Sequence, residues 1–531
     1  MTLFYALIAC ILSVLAYSIY APIPQLSGFQ KWYDVGRKSG SKFFYKWLIT
    51  GQAAVFWLLV YLSFSFPFGY YFALLLIPAL AGFVVYVTLT LHPENGTAHG
   101  SAKFQSEADL STWAASSKHN GILLGKDPHT QKSLKYLGDA HLLTVAPTRS
   151  GKGVSAIIPN LLTYEGSTLV VDPKGENARI TARTRAQKGD VYVLDPFGVT
   201  GLSTASYNPI GRIAADNEDA LDDAASLADA LVVRSKDGDN HWDDEAASLL
   251  EGIILFVGLH EEPSRRHLGT VRELITASPD QLNQILEVMK DCGGLVERTA
   301  NRFLSKSDRE ASSVLSTAQR HTKFLDSERM TKVLGSAAGM SFAELKQKTG
   351  TTIFLCIPPD RLDTYGRWLR LMVNEALIDM ATSPEKPEHP VLFLLDEFAA
   401  LGPLQSVKRA MGLMAGYGMI LWPFLQDLSQ LKSLYGDAAQ TFFANAGAVQ
   451  WFGLNDIETA KQLSETIGKT TVGGLASSTH GRNLMMPDEL MKIPDTSQIV
   501  MIQGKDPAVL GKLQYYTDPD FSGLWDKDQN R

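Results

Sequence analysis

Two residue pairs in this chain have the types and surroundings to do chemistry: Gly151-Lys152 and Asp396-Glu397. In LLTVAPTRSGKGVSAIIPNLL (142–162) an apolar, β-branched run gives way to a turn and then to an apolar helical pattern, with Lys152 at the junction. A loop in that place points successive backbone N–H groups and the positive end of the helix at an anion. A lysine there reaches the β and γ phosphates of a nucleoside triphosphate. The predicted phosphate loop runs through Ala146, Pro147, Thr148, Arg149, Ser150, Gly151, Lys152, Gly153 and Val154. Two positions depart from the usual GxxxxGK(S/T) pattern. Ala146 replaces the first glycine, and Gly153 replaces the hydroxyl that ordinarily binds Mg²⁺. Taken alone, such a loop competes with an ordinary turn.

The second pair removes much of that ambiguity. Val391–Leu395 is a continuous apolar run, which reads as a central parallel strand buried on both faces, and Asp396-Glu397 follows at its C-terminal end. Ligands of open α/β sheets bind at that edge. There Asp396 would hold Mg²⁺, directly or through water, and Glu397 would take a proton from the attacking water. An acidic pair after a strand can also be a helix cap, but the loop at Lys152 makes that reading the weaker one. Met419–Leu425 is a further strand that ends in Gln426, whose amide could sense the γ-phosphate or place the water. A polar surface position is the plainer alternative for Gln426.

These residues need a sheet to bring them together. Strands are legible at His141–Val145, Thr168–Val171, Val191–Leu194, 352–357, 449–452 and 499–502, alternating with helical patterns. That order predicts an α/β fold with a doubly wound, mostly parallel sheet. Between Val191 and Thr352 the periodicity is helical throughout, so an all-helical segment is inserted in the sheet domain. In DNEDALDDAASLADALVV, Leu221, Ala224, Leu227, Ala228, Leu231 and Val232 fall on one face, with Asp222, Asp223 and Asp229 off it. The acidic runs Asp222-Asp223 and Asp243-Asp244-Glu245 read as solvated faces. The alternative is a surface that selects basic substrate proteins.

The first 91 residues have a different character. Residues 3–20 are uncharged and mostly apolar, and at 1.5 Å per residue they span about 27 Å, close to the thickness of a bilayer's hydrocarbon core. No basic residue precedes the run and no cleavage-like site follows it, which disfavours a signal peptide. A second uncharged stretch, broken at Phe66-Pro67-Phe68-Gly69, divides into spans of about 47–66 and 70–91. A buried hairpin, and hence fewer than three spans, is the competing reading. Lys31, Arg37, Lys38, Lys42 and Lys46 against Asp34 place the first loop on the cytoplasmic side, with everything after residue 91 also cytoplasmic.

Residues 1–91 hold five basic residues and one acid, so of totals of 49 and 56 the remainder keeps 44 and 55, a net of −11. That excludes a polybasic nucleic-acid binder; any DNA contact must be a local patch. Cys10, Cys292 and Cys356 lie far apart, which argues against a disulfide framework or a zinc site.

The segments APTRSGKGVSAIIPNLL, STLVVDPKGE, VYVLDPFG, SYNPI, REASSVLSTA, LFLLDEFAALG and LQDLSQLKSLYG, in this order behind apolar N-terminal runs, resemble the type IV secretion coupling proteins. The resemblance covers residues 97–515. It implies an ATPase of the bacterial inner membrane that uses ATP and Mg²⁺, with a RecA-like motor domain and a helical insertion, assembled as a hexamer. Its expected partners are DNA, single-stranded and without sequence preference, with an attached relaxase, or effector proteins, together with other inner-membrane components of the secretion system. Gly153 is a usual variant in that family, which leaves open the group that completes the Mg²⁺ shell. The implied division is an anchor (1–91), a motor (92–210 and 331–515), an inserted all-α domain (211–330) and a polar, loose tail (516–531). Arg409, Arg320 and Arg482 are candidates for an arginine offered to a neighbouring subunit's site. A docking receptor that uses nucleotide as a conformational switch, with protein effectors as its only cargo, is the alternative function.

Overall fold

The computed structural model describes residues 99–528 except 117–120, 235–239, 336–338, 414 and 474–478. The expected membrane spans and the basic loop lie outside the described residues. Among the described residues no helix is long and apolar enough to cross a membrane.

The strands are β1 (Ile122–Lys126), β2 (Ser133–Tyr136), β3 (His141–Val145), β4 (Thr168–Val171), β5 (Val191–Leu194), β6 (Thr352–Leu355), β7 (Val391–Leu395), β8 (Met419–Leu425), β9 (Ala446–Trp451), β10 (Lys469–Gly473), β11 (Thr479–Asn483), β12 (Ser497–Ile502) and β13 (Ala508–Gly511). Eleven of them form one sheet in the order β2-β1-β13-β12-β9-β3-β8-β7-β4-β6-β5; β10 and β11 form a separate ribbon. From β9 to β5 every pairing is parallel. From β9 outward to β2 every pairing is antiparallel. All the expected strands are present, with ends moved by a few residues at 352–357, 449–452 and 499–502. The antiparallel flank of β1, β2 and β13 goes beyond the expected strands: β2 and β13 alternate buried and half-buried residues and β1 holds only three consecutive apolar residues, so none carries the long apolar run of a central parallel strand.

Alternation along the central strands builds two cores. Leu143, Val145, Leu169, Val171, Phe393 and Leu395 enter one, and Leu142, Val170, Leu392 and Leu394 the other. Successive strand residues point to opposite faces, so each face must be covered by helices. The polar groups at the strand ends are then left at the C-terminal edge.

Between β5 and β6 the described residues form no strand. The helices there include Ala220–Leu231, His241–His260, Asp308–His321 and Glu328–Leu334, and the last of these runs past residue 330. Ala224, Leu227, Ala228, Leu231 and Val232 are buried as expected, but Leu221 is 46% exposed. In that first turn Ala220 faces the core instead. The acidic run at 243–245 is corrected too. Only Asp244 is exposed, whereas Asp243 and Glu245 are buried, because His241–His260 is covered on most of its circumference. Asp243 accepts from His321 and Arg320, and Glu245 pairs with Lys306.

Of the tail expected to be loose, residues 516–528 are docked on the domain. Phe521 is buried, Leu524 and Trp525 pack beside it, and Asp528 pairs with Arg179 at 2.8 Å. Its polar composition hides a few apolar anchors that dock on the helix Glu176–Arg185.

Candidate nucleotide site

The strand order sets the site. β8 lies between β3 and β7, so the residues following these three strands emerge side by side at one edge. The loop after β3 begins with Ala146, whose N–H donates to the Leu425 carbonyl at 2.7 Å, tying it to β8. Pro147 accepts from the Ser150 N–H at 3.0 Å, closing the turn. Arg149 (φ 65°) and Gly151 (φ 91°) take left-handed backbone, which is ordinary for glycine and strained for arginine. Gly153 opens the helical segment Gly153–Ile157, and Val154 packs towards a small core with Ile158, Leu162 and Ile180.

Lys152 Nζ lies 2.8 Å from Asp396 Oδ1 and 2.6 Å from Glu397 Oε1. Gln426 Nε2 donates to Glu397 Oε2 at 3.2 Å, and Thr148 Oγ1 donates to Gln426 Oε1 at 3.4 Å. Glu397 itself is left-handed (φ 50°), and its N–H donates to Asp396 Oδ1 at 2.9 Å. A non-glycine residue held there costs of order 1–3 kcal/mol, the kind of strain that clusters at functional sites. Arg370 fixes the far end of that turn by donating to the Leu401 and Pro403 carbonyls at 2.8 and 3.0 Å.

The two carboxylates shift in opposite directions although they share one lysine. Burial raises the Asp396 pKa and outweighs Lys152, since Asp396 is the deeper of the two. Burial also acts on Glu397, but the Lys152 hydrogen bond and charge prevail and hold it below the usual carboxylate range. Burial alone would lower the Lys152 pKa; Asp396 and Glu397 together raise it. Glu397 is therefore ionised at neutral pH, as a proton acceptor must be.

The donor set fits a divalent cation beside a phosphate chain. Lys152 already places one positive charge between the two carboxylates, and Ser150 Oγ is buried with no partner. A Cβ at Gly153 would meet nothing within 4 Å, so the position of the missing hydroxyl is open space.

The structure thus gathers Lys152, Asp396, Glu397, Gln426 and Thr148. It does not bring Arg320, Arg409 or Arg482 to this cluster. Arg320 pairs with Asp243, Arg482 pairs with Glu489, and Arg409 lies on the helix Gln405–Leu413. Sequence reasoning gave no role to Asp172, although it stands in the STLVVDPKGE segment. Asp172 is fully buried at the end of β4, where burial pushes its pKa up to about 7 and the Ala178 N–H holds its carboxylate at 2.8 Å. Sequence reasoning also missed Lys512, which no motif marks.

The family model described as "Type IV secretory system Conjugative DNA transfer" matches residues 101–528. The chain is 30% identical over 413 residues to protein VirD4 of Rhizobium radiobacter, covering 73% of this chain and 58% of that protein's length. It is 26% identical over 507 residues to the conjugal transfer protein TraG of Escherichia coli, covering 82% of this chain and 79% of the relative. Among solved structures, the bacterial conjugative coupling protein TrwB lacking its N-terminal segment superposes with a TM-score of 0.62 at 19% identity, covering 80% of this chain and 97% of that one. TrwB in complex with ADP and Mg²⁺ gives a TM-score of 0.62 over 78% and 94%. These likenesses agree with a RecA-like, mostly parallel sheet flanked by helices.

Proposed function

Because the chain belongs to the type IV secretory system conjugative DNA transfer family, we propose that it is a membrane-anchored, hexameric ATP hydrolase. On this reading it recruits DNA with its attached relaxase, or effector proteins, and drives them into a type IV secretion channel at the bacterial inner membrane. The observation that carries the reading is the contact of Lys152 with both Asp396 and Glu397 at the C-terminal edge of the sheet.

Lys152 is poised to exchange its carboxylate partners for phosphate oxygens. The backbone N–H groups of Gly151, Lys152 and Gly153, which take no protein acceptor among the described residues, line the phosphate path. Once Lys152 turns to the nucleotide, Asp396 is free to hold Mg²⁺, which would neutralise charge on the phosphates. Glu397, ionised and gripped by Gln426, then accepts the proton of the attacking water. Gln426 spans from Glu397 to Thr148 of the loop, so a change at the γ-phosphate reaches the base through one side chain. The nucleotide and Mg²⁺ in the TrwB complex support the choice of ligand.

The assembled proton acceptor favours a hydrolysing engine over a receptor that only switches. The test uses the full-length protein in lipid. Glu397→Gln retains ATP affinity and loses turnover, and DNA added at low salt stimulates the wild-type rate. Joint loss of affinity and turnover in Glu397→Gln makes that residue structural. An ATPase indifferent to DNA, with no DNA binding, makes the cargo protein alone.

A further inference from the structure

Lys512 lies just past β13, on the antiparallel flank, 362 residues along the chain from Ser150. Its Nζ donates to the Ser150 carbonyl at 2.9 Å. The same ammonium stands 4.8 Å from the centre of the Phe452 ring. Phe452 is buried, and its N–H donates to the Val145 carbonyl at 2.9 Å, so the ring is fixed to the strand from which the phosphate loop springs. Burial lowers the Lys512 pKa, with Asp495 opposing. A long, flexible, partly desolvated ammonium is costly to hold still, and here a carbonyl and an aromatic face offset that cost.

The carbonyl it grips is informative. Ser150 C=O and Gly151 N–H belong to one planar trans peptide and point in opposite directions. Gly151 has φ 91°, and a glycine in that region has little steric preference to stop the preceding peptide from flipping. A flip would turn a carbonyl oxygen towards the phosphates, where it repels them. Among the described residues no protein acceptor takes the Gly151 N–H.

We propose that Lys512 is a positioning residue for the nucleotide. It holds the peptide between Ser150 and Gly151 so that the Gly151 N–H faces the phosphates, and it adds a positive charge behind the loop. This rests on the reading of Ala146–Val154 as the phosphate loop.

The experiment measures ATP affinity, KM and kcat, and the thermal unfolding midpoint, on the full-length protein in lipid. Lys152→Ala serves as the control that removes nucleotide binding. Lys512→Met keeps the apolar stem over Phe452 and loses the donor. It is expected to weaken ATP affinity and raise KM roughly tenfold, the scale of one hydrogen bond to a charged group. Its kcat stays within about twofold, since no group touching the reacting atoms has changed. Lys512→Arg, which can still donate, brings affinity back to within about threefold of wild type. If wild type binds ATP, Lys152→Ala does not, and Lys512→Met binds as wild type does, the site stands and the role of Lys512 falls. A Lys512→Met protein whose unfolding midpoint drops together with kcat, unrescued by arginine, also overturns the proposal by making Lys512 purely structural. If wild type binds no nucleotide, the reading of the loop itself fails.

Discussion

At the edge of the sheet Lys152 stands between Asp396 at 2.8 Å and Glu397 at 2.6 Å. Under the helix Leu362–Thr382, Arg212 stands between Glu375 at 2.9 Å and Asp379 at 3.0 Å. Both sites set one cation within 3.0 Å of two carboxylates, yet they are built to behave differently. Lys152 springs from a glycine-flanked loop, and Glu397 is about a third exposed. Its ammonium is a single rotatable point charge that can leave one anion for another. Arg212 is a planar fork, and it also donates to the Tyr207 hydroxyl at 2.9 Å, which in turn donates to Glu375 at 3.0 Å. Glu375 is 2% exposed. Tyr207 and Arg212 sit on or beside the short helix Pro209–Arg212 that leads from β5 into the insertion, Glu375 and Asp379 lie on the helix Leu362–Thr382 between β6 and β7, and Asp223 of the insertion approaches Arg212 at 3.7 Å. Composition alone therefore does not make a charged triad a site: the exchangeable donor, the loop and the open edge do.

The largest expected effect lies on the buried side. Arg212→Met leaves Glu375 and Asp379 without their cation, and removing one partner of a buried pair costs roughly 3–5 kcal/mol. Urea unfolding of the full-length protein checks this. ATP KM measured well below the transition should stay at the wild-type value, and a matching rise in KM would show that the two clusters are coupled. Lys152→Ala is the converse. Hydrolysis should fall by about 10²–10³-fold, as for loss of one preorganised charge-stabilising donor, with the urea midpoint moved far less than in Arg212→Met because Glu397 is about a third exposed, whereas Glu375 is 2% exposed. A comparable loss of stability would make Lys152 a structural cation like Arg212.

The smallest effect is one of pH. Burial pushes Glu375 up to about 7, outweighing Arg212 and Tyr207, from an ordinary value near 4.5. Its folded pKa lies above its unfolded one, so the folded state binds the proton more tightly. The stability it contributes is complete below about pH 4.5 and is lost as pH rises towards 7. Glu397, with a lowered folded pKa, contributes stability above its ordinary pKa and loses it as pH falls. Glu375→Gln should therefore flatten the decline in unfolding free energy between pH 4.5 and 7. An unchanged slope would place the titration elsewhere, Asp379 being the nearest carboxyl with a raised pKa.

Much of the site is legible in the amino-acid sequence. Val391–Leu395 and Met419–Leu425 are buried at every position, so their apolar runs are continuous and the polar residues that end them stand out. The acidic run at 243–245 misleads for the opposite reason, because burial of Asp243 and Glu245 depends on His321, Lys306 and other residues far along the chain.

The sequence by itself determined which local segments could be strand, phosphate loop and acidic pair, because those signals are short-range: apolar runs, glycines at a turn, a lysine at a helix start. Only the tertiary structure decided that β8 lies between β3 and β7, so that Gln426 reaches both the loop and the base. Tertiary structure also decided that Lys512 closes on Ser150. Strand order and contacts between distant residues follow from how whole faces are buried together, and no window of sequence carries that sum.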